Sequence, residues 1–209
     1  WLDTFIAQTM QSDTLTTVDG TTMKMLVDTG CVEFVSETYD HSLASLINEE
    51  EFKRQVERHD ALIYNLFGQK PKVFRNTELI YNDEIAAQIA SMGFKAVLTE
   101  GAKHILGWKS PNYVYSSAGA PKMKLLFRNS KLSDDIAMRF ADYSWHEYPL
   151  TADKYMSWIS QSPKDEQLVN IAVNYETIGD NHPRETGIFD FFKALPRFAA
   201  ENGVEFFSP

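Results

Sequence analysis

Ala96-Val-Leu-Thr-Glu100-Gly-Ala puts a carboxylate at the end of an apolar β-prone run, and it is the first group in this chain with evident chemical use. Gly101 beside it lets a backbone or a ligand approach closely. A buried carboxylate needs a reason, either chemistry or an ion pair with a cation such as Arg75 or Lys103. A second constellation is Val173-Asn-Tyr-Glu176-Thr-Ile-Gly179. Alternation along a strand would point Asn174 and Glu176 to the same side, whereas at a strand end both would merely bond the chain. The third is Cys31-Val-Glu33-Phe-Val-Ser-Glu-Thr-Tyr39-Asp-His41-Ser, in which a strand delivers Glu33 and the next loop supplies Tyr39 and His41. A lone histidine such as His41 is more often structural than catalytic.

These groups need elements to hold them. Cys31 to Ser36 reads as a strand after Gly30, and Glu49 to Leu66 as an amphipathic helix carrying Phe52, Val56, Leu62, Ile63 and Leu66, ended by Gly68 and Pro71. Lys72 to Arg75 is another short β run. Asn82 or Asp83 caps a helix through Met92 that stops at Gly93. Phe94 to Thr99 and Leu125 to Arg128 follow as strands, Ser133 caps a helix through Phe140, and Thr151 caps Ala152 to Ser160. Leu168 to Val173 is the most strand-like run. A last helix runs from about Glu185 to Ala200, and Val204 to Phe207 begins one more strand. Strands alternating with helices imply parallel strands with right-handed crossovers, in an open sheet or a barrel. Glu33, Arg75, Glu78, Glu100, Asn174 and Glu176 all fall at or just beyond strand C-termini, the face that carries the chemistry in barrel enzymes. Gly107 to Pro121, rich in Gly, Pro, Ser and Tyr, has the composition of a substrate-covering loop.

Composition narrows the function classes. With 209 residues, 44% of them hydrophobic, a single domain over 1–209 is expected. Its 20 basic and 29 acidic side chains give a formal charge of −9, which disfavours nucleic acid as a partner. No apolar run approaches the roughly 20 residues of a membrane span, and no leader opens the chain. One cysteine, Cys31, forms no internal disulfide, so a cytoplasmic location is the expectation. A neutral polymer is indifferent to the acidic field, and 13% aromatic residues offer faces on which sugar rings stack. After a polar, Thr-rich opening the chain ends at Val204 to Pro209 as a strand would enter a loop, which reads as a fragment.

The three constellations, with Arg75-Asn-Thr-Glu78-Leu-Ile-Tyr-Asn-Asp between them, resemble the sequence regions of glycoside hydrolase family 57. The likeness extends to Leu106-Gly-Trp-Lys-Ser-Pro-Asn-Tyr-Val-Tyr115, Lys131-Leu-Ser-Asp-Asp-Ile-Ala-Met-Arg-Phe140, Glu147-Tyr-Pro-Leu-Thr-Ala-Asp-Lys-Tyr155 and Glu185-Thr-Gly-Ile-Phe189, in the order of the family's α-amylase branch. The resemblance implies a distorted, TIM-like (β/α)7 barrel, here incomplete at both ends. It implies a retaining mechanism on α-1,4-glucans, of α-amylase or 4-α-glucanotransferase type, without cofactor or metal. Glu100 matches the family's nucleophile. The acid of the family pattern is an aspartate two residues before Glu176, and that position is Asn174 here. An amide has no ionisable proton near neutral pH. Glu176 is then the candidate substitute acid or a sugar-binding group. Glu33, His41, Glu78, Trp108, Tyr113 and His182 are the expected contacts to an α-glucan or maltooligosaccharide. Asn181-His182-Pro183 departs from the family's tryptophan after a His pair, and the family's opening histidine segment and closing regions are absent. A non-catalytic, amylase-like glucan-binding protein is the alternative. Metal-dependent deacetylation of sugars fits less well, because His41 is followed four positions later by Ser45 rather than a second histidine.

Overall fold

Phe52, Val56, His59 and Ile63 recur at intervals of three and four residues and form the buried stripe of helix α1 (Glu49–Phe67). Asn48 starts α1 by accepting a hydrogen bond from the Glu51 amide at 3.0 Å, and Gly68 ends it in a left-handed conformation at φ 71°. The computed structural model describes residues 24–25 and 27–207; the Thr-rich opening and the closing Ser208 and Pro209 lie outside them. Two units divide the chain: one runs to Glu100 and takes in Val114–Phe127, the other comprises Gly101–Tyr113 and Arg128–Phe207.

In the first unit α1 packs on β1 (Val73–Arg75), where Phe52 meets Phe74 edge-on with ring centroids 5.6 Å apart. Each such buried side chain contributes roughly 1.5–3 kcal/mol. Helix α2 (Asp83–Ser91), capped by Asn82, connects β1 to β2 (Ala96–Glu100), and the two strands pair in parallel with Arg75 opposite Leu98. The sheet order is β1-β2-β4-β3, with β3 (Tyr115–Ser116) and β4 (Lys124–Arg128). The β3–β4 pair is antiparallel, a departure from the all-parallel expectation that follows from the short connection between them. The expected strand Cys31 to Ser36 reduces to one parallel bridge, Ser36 to Phe74. A side chain takes two of its other backbone groups: Gln69 accepts from the Phe34 amide at 3.2 Å and donates to the Val32 carbonyl at 2.9 Å.

The second half of the Gly107 to Pro121 loop is anchored. Asp83 accepts hydrogen bonds from Tyr81 Oη at 2.8 Å, Ser117 Oγ at 2.9 Å and the Ala118 amide at 3.1 Å. These contacts, Tyr81 first, hold the Asp83 carboxyl below the usual carboxylate range. Gly119 is required by the same approach, since a Cβ there would lie 2.2 Å from the Asp83 carbonyl oxygen. Gly119→Ala is therefore expected to lower stability by about 1–3 kcal/mol through overpacking against backbone. Urea unfolding followed by circular dichroism measures it, and an unchanged midpoint would show that the loop does not depend on this approach.

In the second unit, helices α3 (Ser130–Ala137), α4 (Ala152–Ser160) and α5 (Ile188–Glu201) enclose Leu132, Ile136, Phe140, Tyr155, Met156, Phe191 and Leu195. Asn129, not Ser133, caps α3, accepting from the Leu132 amide at 3.0 Å. Ser133 lies inside the helix, fully buried, and its hydroxyl accepts from the Ala172 amide at 3.1 Å. α3 ends at Ala137, short of the expected Phe140. Leu168 to Val173 makes no ladder; its one bridge is Asn170 to Arg128. Ser133 Oγ and the Arg128 guanidinium, 2.9 Å from the Ala172 carbonyl, take the backbone groups a second strand would have used. α5 begins at Ile188 after Gly187 rather than at Glu185. Val204 to Phe207 is likewise not a strand: the Val204 amide closes α5 on the Ala199 carbonyl at 2.9 Å, and Phe206 and Phe207 are exposed. No helix among the described residues is long and apolar enough to cross a membrane.

Candidate active site

Among the described residues of the first unit, His41 at φ 48°, Glu78 at φ 55° and Leu79 at φ 56° hold left-handed backbone conformations without being glycine. Such conformations cost on the order of 1 kcal/mol each and persist where the surroundings enforce them, often at functional sites. The side chains of two of them meet, His41 Nε2 lying 3.3 Å from Glu78 Oε1. The other ring nitrogen of His41 is 3.8 Å from Glu37 Oε2, and Arg75 Nη1 donates to that same oxygen at 3.1 Å. Glu37 is 1% exposed. Glu37, Arg75, His41 and Glu78 thus form one charged network at the C-terminal end of β1, anchored by a buried ion pair and opening to solvent through Glu78.

The turn that carries Glu78 is held from below. Asn76 is fully buried, its amide donating to Ser45 Oγ at 2.8 Å and to the Ile80 carbonyl at 3.1 Å, and Thr38 and Thr77 hydroxyls meet at 2.8 Å. Thr99 of β2 donates to the Leu79 carbonyl at 2.8 Å. Glu100, the next residue, is half-buried at the strand end beside this turn. Arg75, one of the cations the sequence offered as its partner, is instead committed to Glu37. Glu33 is half-buried in the extended segment before Ser36. Sequence reasoning named Glu33, His41 and Glu78 but passed over Glu37, the residue that ties the network together. Its neighbour Arg75 is 38 positions away, so no local pattern announces the pair.

Glu37, first, and then Glu78 raise the pKa of His41 above its ordinary 6.5, against opposing effects of burial and the Arg75 charge. A histidine held protonated by the fold contributes stability that is complete below the unfolded-state pKa and is lost as pH rises through the raised one. Stability should therefore fall between pH ~6.5 and the more alkaline pKa of His41. His41→Gln should flatten that slope in urea titrations at several pH values; an unaltered slope would mean that His41 is not held charged by the fold.

The second unit holds the other expected residues. Asn174 and Glu176 are not on a strand: Asn174 is extended, at φ −70° and ψ 150°, and leads into a 3-10 turn, Tyr175–Thr177. Strand alternation does not apply there, and both side chains are exposed. The turn is closed by the Asn181 amide on the Glu176 carbonyl at 2.7 Å and the His182 amide on the Thr177 carbonyl at 3.2 Å. His182 is 6% exposed, and its Nε2 lies 3.0 and 3.1 Å from the Ile136 and Ala137 carbonyls. Those are among the last carbonyls of α3, left without helical partners, so His182 Nε2–H caps the helix. Its ring also packs near Phe140, with centroids 5.6 Å apart. Trp108 is 92% exposed, while the half-buried Tyr113 donates its hydroxyl to Asp165. Among the described residues, no group of three or more His, Cys, Asp or Glu is placed to hold a metal ion.

The chain as a whole is similar to known proteins. The model of the family described as "Glycosyl hydrolase family 57" matches residues 1–209. A Methanocaldococcus jannaschii protein named "Putative alpha-amylase" is 52% identical over 174 residues, 83% of this chain and 36% of that protein, so the chain spans about a third of its relative's length. Among solved structures, a family 57 branching enzyme from Thermococcus kodakaraensis superposes with a TM-score of 0.69 at 12% identity, over 90% of this chain and 48% of the other. A 4-alpha-glucanotransferase from Thermococcus litoralis gives 0.63 at 17% identity, over 84% of this chain and 28% of the other. At these identities the two structures speak for a common fold: the mixed α/β architecture implied by the sequence resemblance is the one found. The family match over the whole sequence and the close relative together establish that the chain belongs to glycoside hydrolase family 57.

Proposed function

We propose that the protein acts on α-1,4-linked glucans by a retaining mechanism with Glu100 as nucleophile, and that Asn174, at the acid position, supplies no proton to its acid step. The observation that carries this reading is the setting of Glu100. It is a half-buried carboxylate at the C-terminal end of a parallel strand, beside the strained turn that holds Glu78, in a family that includes a solved branching enzyme, and the fold is shared with a 4-alpha-glucanotransferase. In such a mechanism the Glu100 carboxylate attacks the anomeric carbon as the bond to the departing oxygen breaks, and the glycosyl ester then passes to water or to another sugar hydroxyl. The departing oxygen needs a proton, which the Asn174 amide lacks and which Glu176, two residues further on, is the nearest carboxyl in sequence to supply. Glu33, His41 and Glu78 contact sugar hydroxyls, Trp108 offers an exposed stacking face and Tyr113 a rim contact. His182 acts through α3 and the 176–182 turn. A reducing, cytoplasmic setting belongs to the proposal, since Cys31 is an exposed free thiol.

A second reading, a glucan-binding protein that no longer cuts, is favoured by one observation, the amide at position 174. An α-maltosyl fluoride separates the two, because fluoride departs without needing a proton from the protein. The first reading expects fluoride release that Glu100→Gln reduces to background. No release by the parent protein, with maltooligosaccharide binding intact, would leave only the second.

A further inference from the structure

A cavity of about 640 Å³ lies in the second unit, lined in part by Asp135 and Arg139 of the α3 region, Trp145, and Trp158 and Gln161 at the end of α4. None of these residues has a part in the proposed chemistry. The volume falls in the range of roughly 300–1,000 Å³ typical of small-molecule sites. The two indoles are half-buried and nearly perpendicular, with centroids 6.2 Å apart and planes at 77°, so they form a corner rather than a flat stack. The Arg139 guanidinium sits 5.8 Å from the Trp145 ring and donates to Asp135 Oδ1 at 2.7 Å. Asp135 is 2% exposed, and its second oxygen, Oδ2, has no hydrogen-bond partner. Asp135 thus fixes the Arg139 guanidinium at the cavity wall, where its other N–H groups can meet a ligand hydroxyl.

The lining selects a ligand class. Its basic groups, Lys131 and Arg139, are offset by Asp135 and Glu147, so neither an anion nor a cation is favoured. Two indole surfaces beside carboxylate, guanidinium and amide groups suit an uncharged ring that has an apolar face and a rim of hydroxyls. We propose that this cavity is a second, non-catalytic binding site for a short α-glucan, with Trp145 and Trp158 contacting sugar rings and Arg139 and Gln161 meeting hydroxyls. The choice of an α-glucan rests on the function proposed above; the existence of the site rests on the cavity.

The test uses the full protein and maltoheptaose, following the four tryptophan indole N–H resonances, assigned through single Trp→Phe variants. Saturable shifts of Trp145 and Trp158 that persist in Glu100→Gln are the expected result. Trp158→Ala should weaken that response about 3- to 10-fold while leaving fluoride release unchanged. Gln161→Ala, at an exposed position, repeats the test without touching the core. Shifts confined to Trp108, or none, would overturn the second site and leave the proposed reaction standing. Shifts at Trp145 and Trp158 in a protein that releases no fluoride would uphold the site while the reaction reading falls. Equal shifts with cellohexaose would overturn the α-glucan assignment.

Discussion

Asn174→Asp is expected to raise maltooligosaccharide cleavage by about 10²–10⁴-fold, the usual worth of a positioned general acid, while leaving turnover of α-maltosyl fluoride nearly unchanged. The contrast follows from where the proton is needed: a sugar leaving group departs as an alcohol, and fluoride departs unaided. The substitution should be tolerated by the fold. Asn174 is exposed, extended, and makes no capping hydrogen bond to the turn it precedes, and aspartate is as good a residue as asparagine at such a position. The pH–rate profile should also gain a limb on the alkaline side as the new acid is lost by ionisation. Equal rates for parent and variant on maltooligosaccharides would remove position 174 from the chemistry. If the parent already cleaves and Glu176→Gln abolishes it, the acid stands two residues further along the chain.

The parts of this molecule written in local pattern were readable. Periodicity marked α1, Asn82 and Gly93 bracketed α2, and the short β runs ending at Arg75 and Arg128 are strands. What local pattern cannot carry is the identity of a partner. Leu168 to Val173 has the composition of a strand, yet the amide and carbonyl of its Ala172 are taken by Ser133 and Arg128, side chains some 40 residues away. Asn129 and Ser133 are both good capping types one helical turn apart, and only the course of the chain before α3 decides between them. The site divides in the same manner. Glu100, His41 and Glu78 were visible as polar residues at strand ends. Phe34 to Thr38 is buried throughout, without the alternation that would single out Glu37 as an inward carboxylate.

Arg75→Met is expected to destabilise the protein by about 3–5 kcal/mol, the usual consequence of leaving a buried charge without its partner. Glu37 is 1% exposed and shares one oxygen between Arg75, at 3.1 Å, and His41, at 3.8 Å, while its other oxygen has no hydrogen-bond partner. Removing the guanidinium leaves the half-exposed His41 imidazole, 3.8 Å from Glu37 Oε2 and too distant to form a direct hydrogen bond. The loss should therefore fall on Glu37 itself. Glu37→Gln combined with Arg75→Met tests this, because an amide is far cheaper to bury than a carboxylate. The pair should recover most of the lost stability, giving a coupling energy of at least 1 kcal/mol by the order of double-mutant cycles on contacting residues. Urea denaturation of the four proteins measures it. A loss below about 1 kcal/mol in Arg75→Met, within the range of surface ion pairs, would mean that water reaches Glu37 and that the network does not enforce the left-handed conformations of His41 and Glu78. The expected loss would instead tie the geometry of the β1 end to a buried charge, and His41→Gln should then leave most of the stability in place, since the imidazole lies 3.8 Å from Glu37 and its other partner, Glu78, stands in solvent.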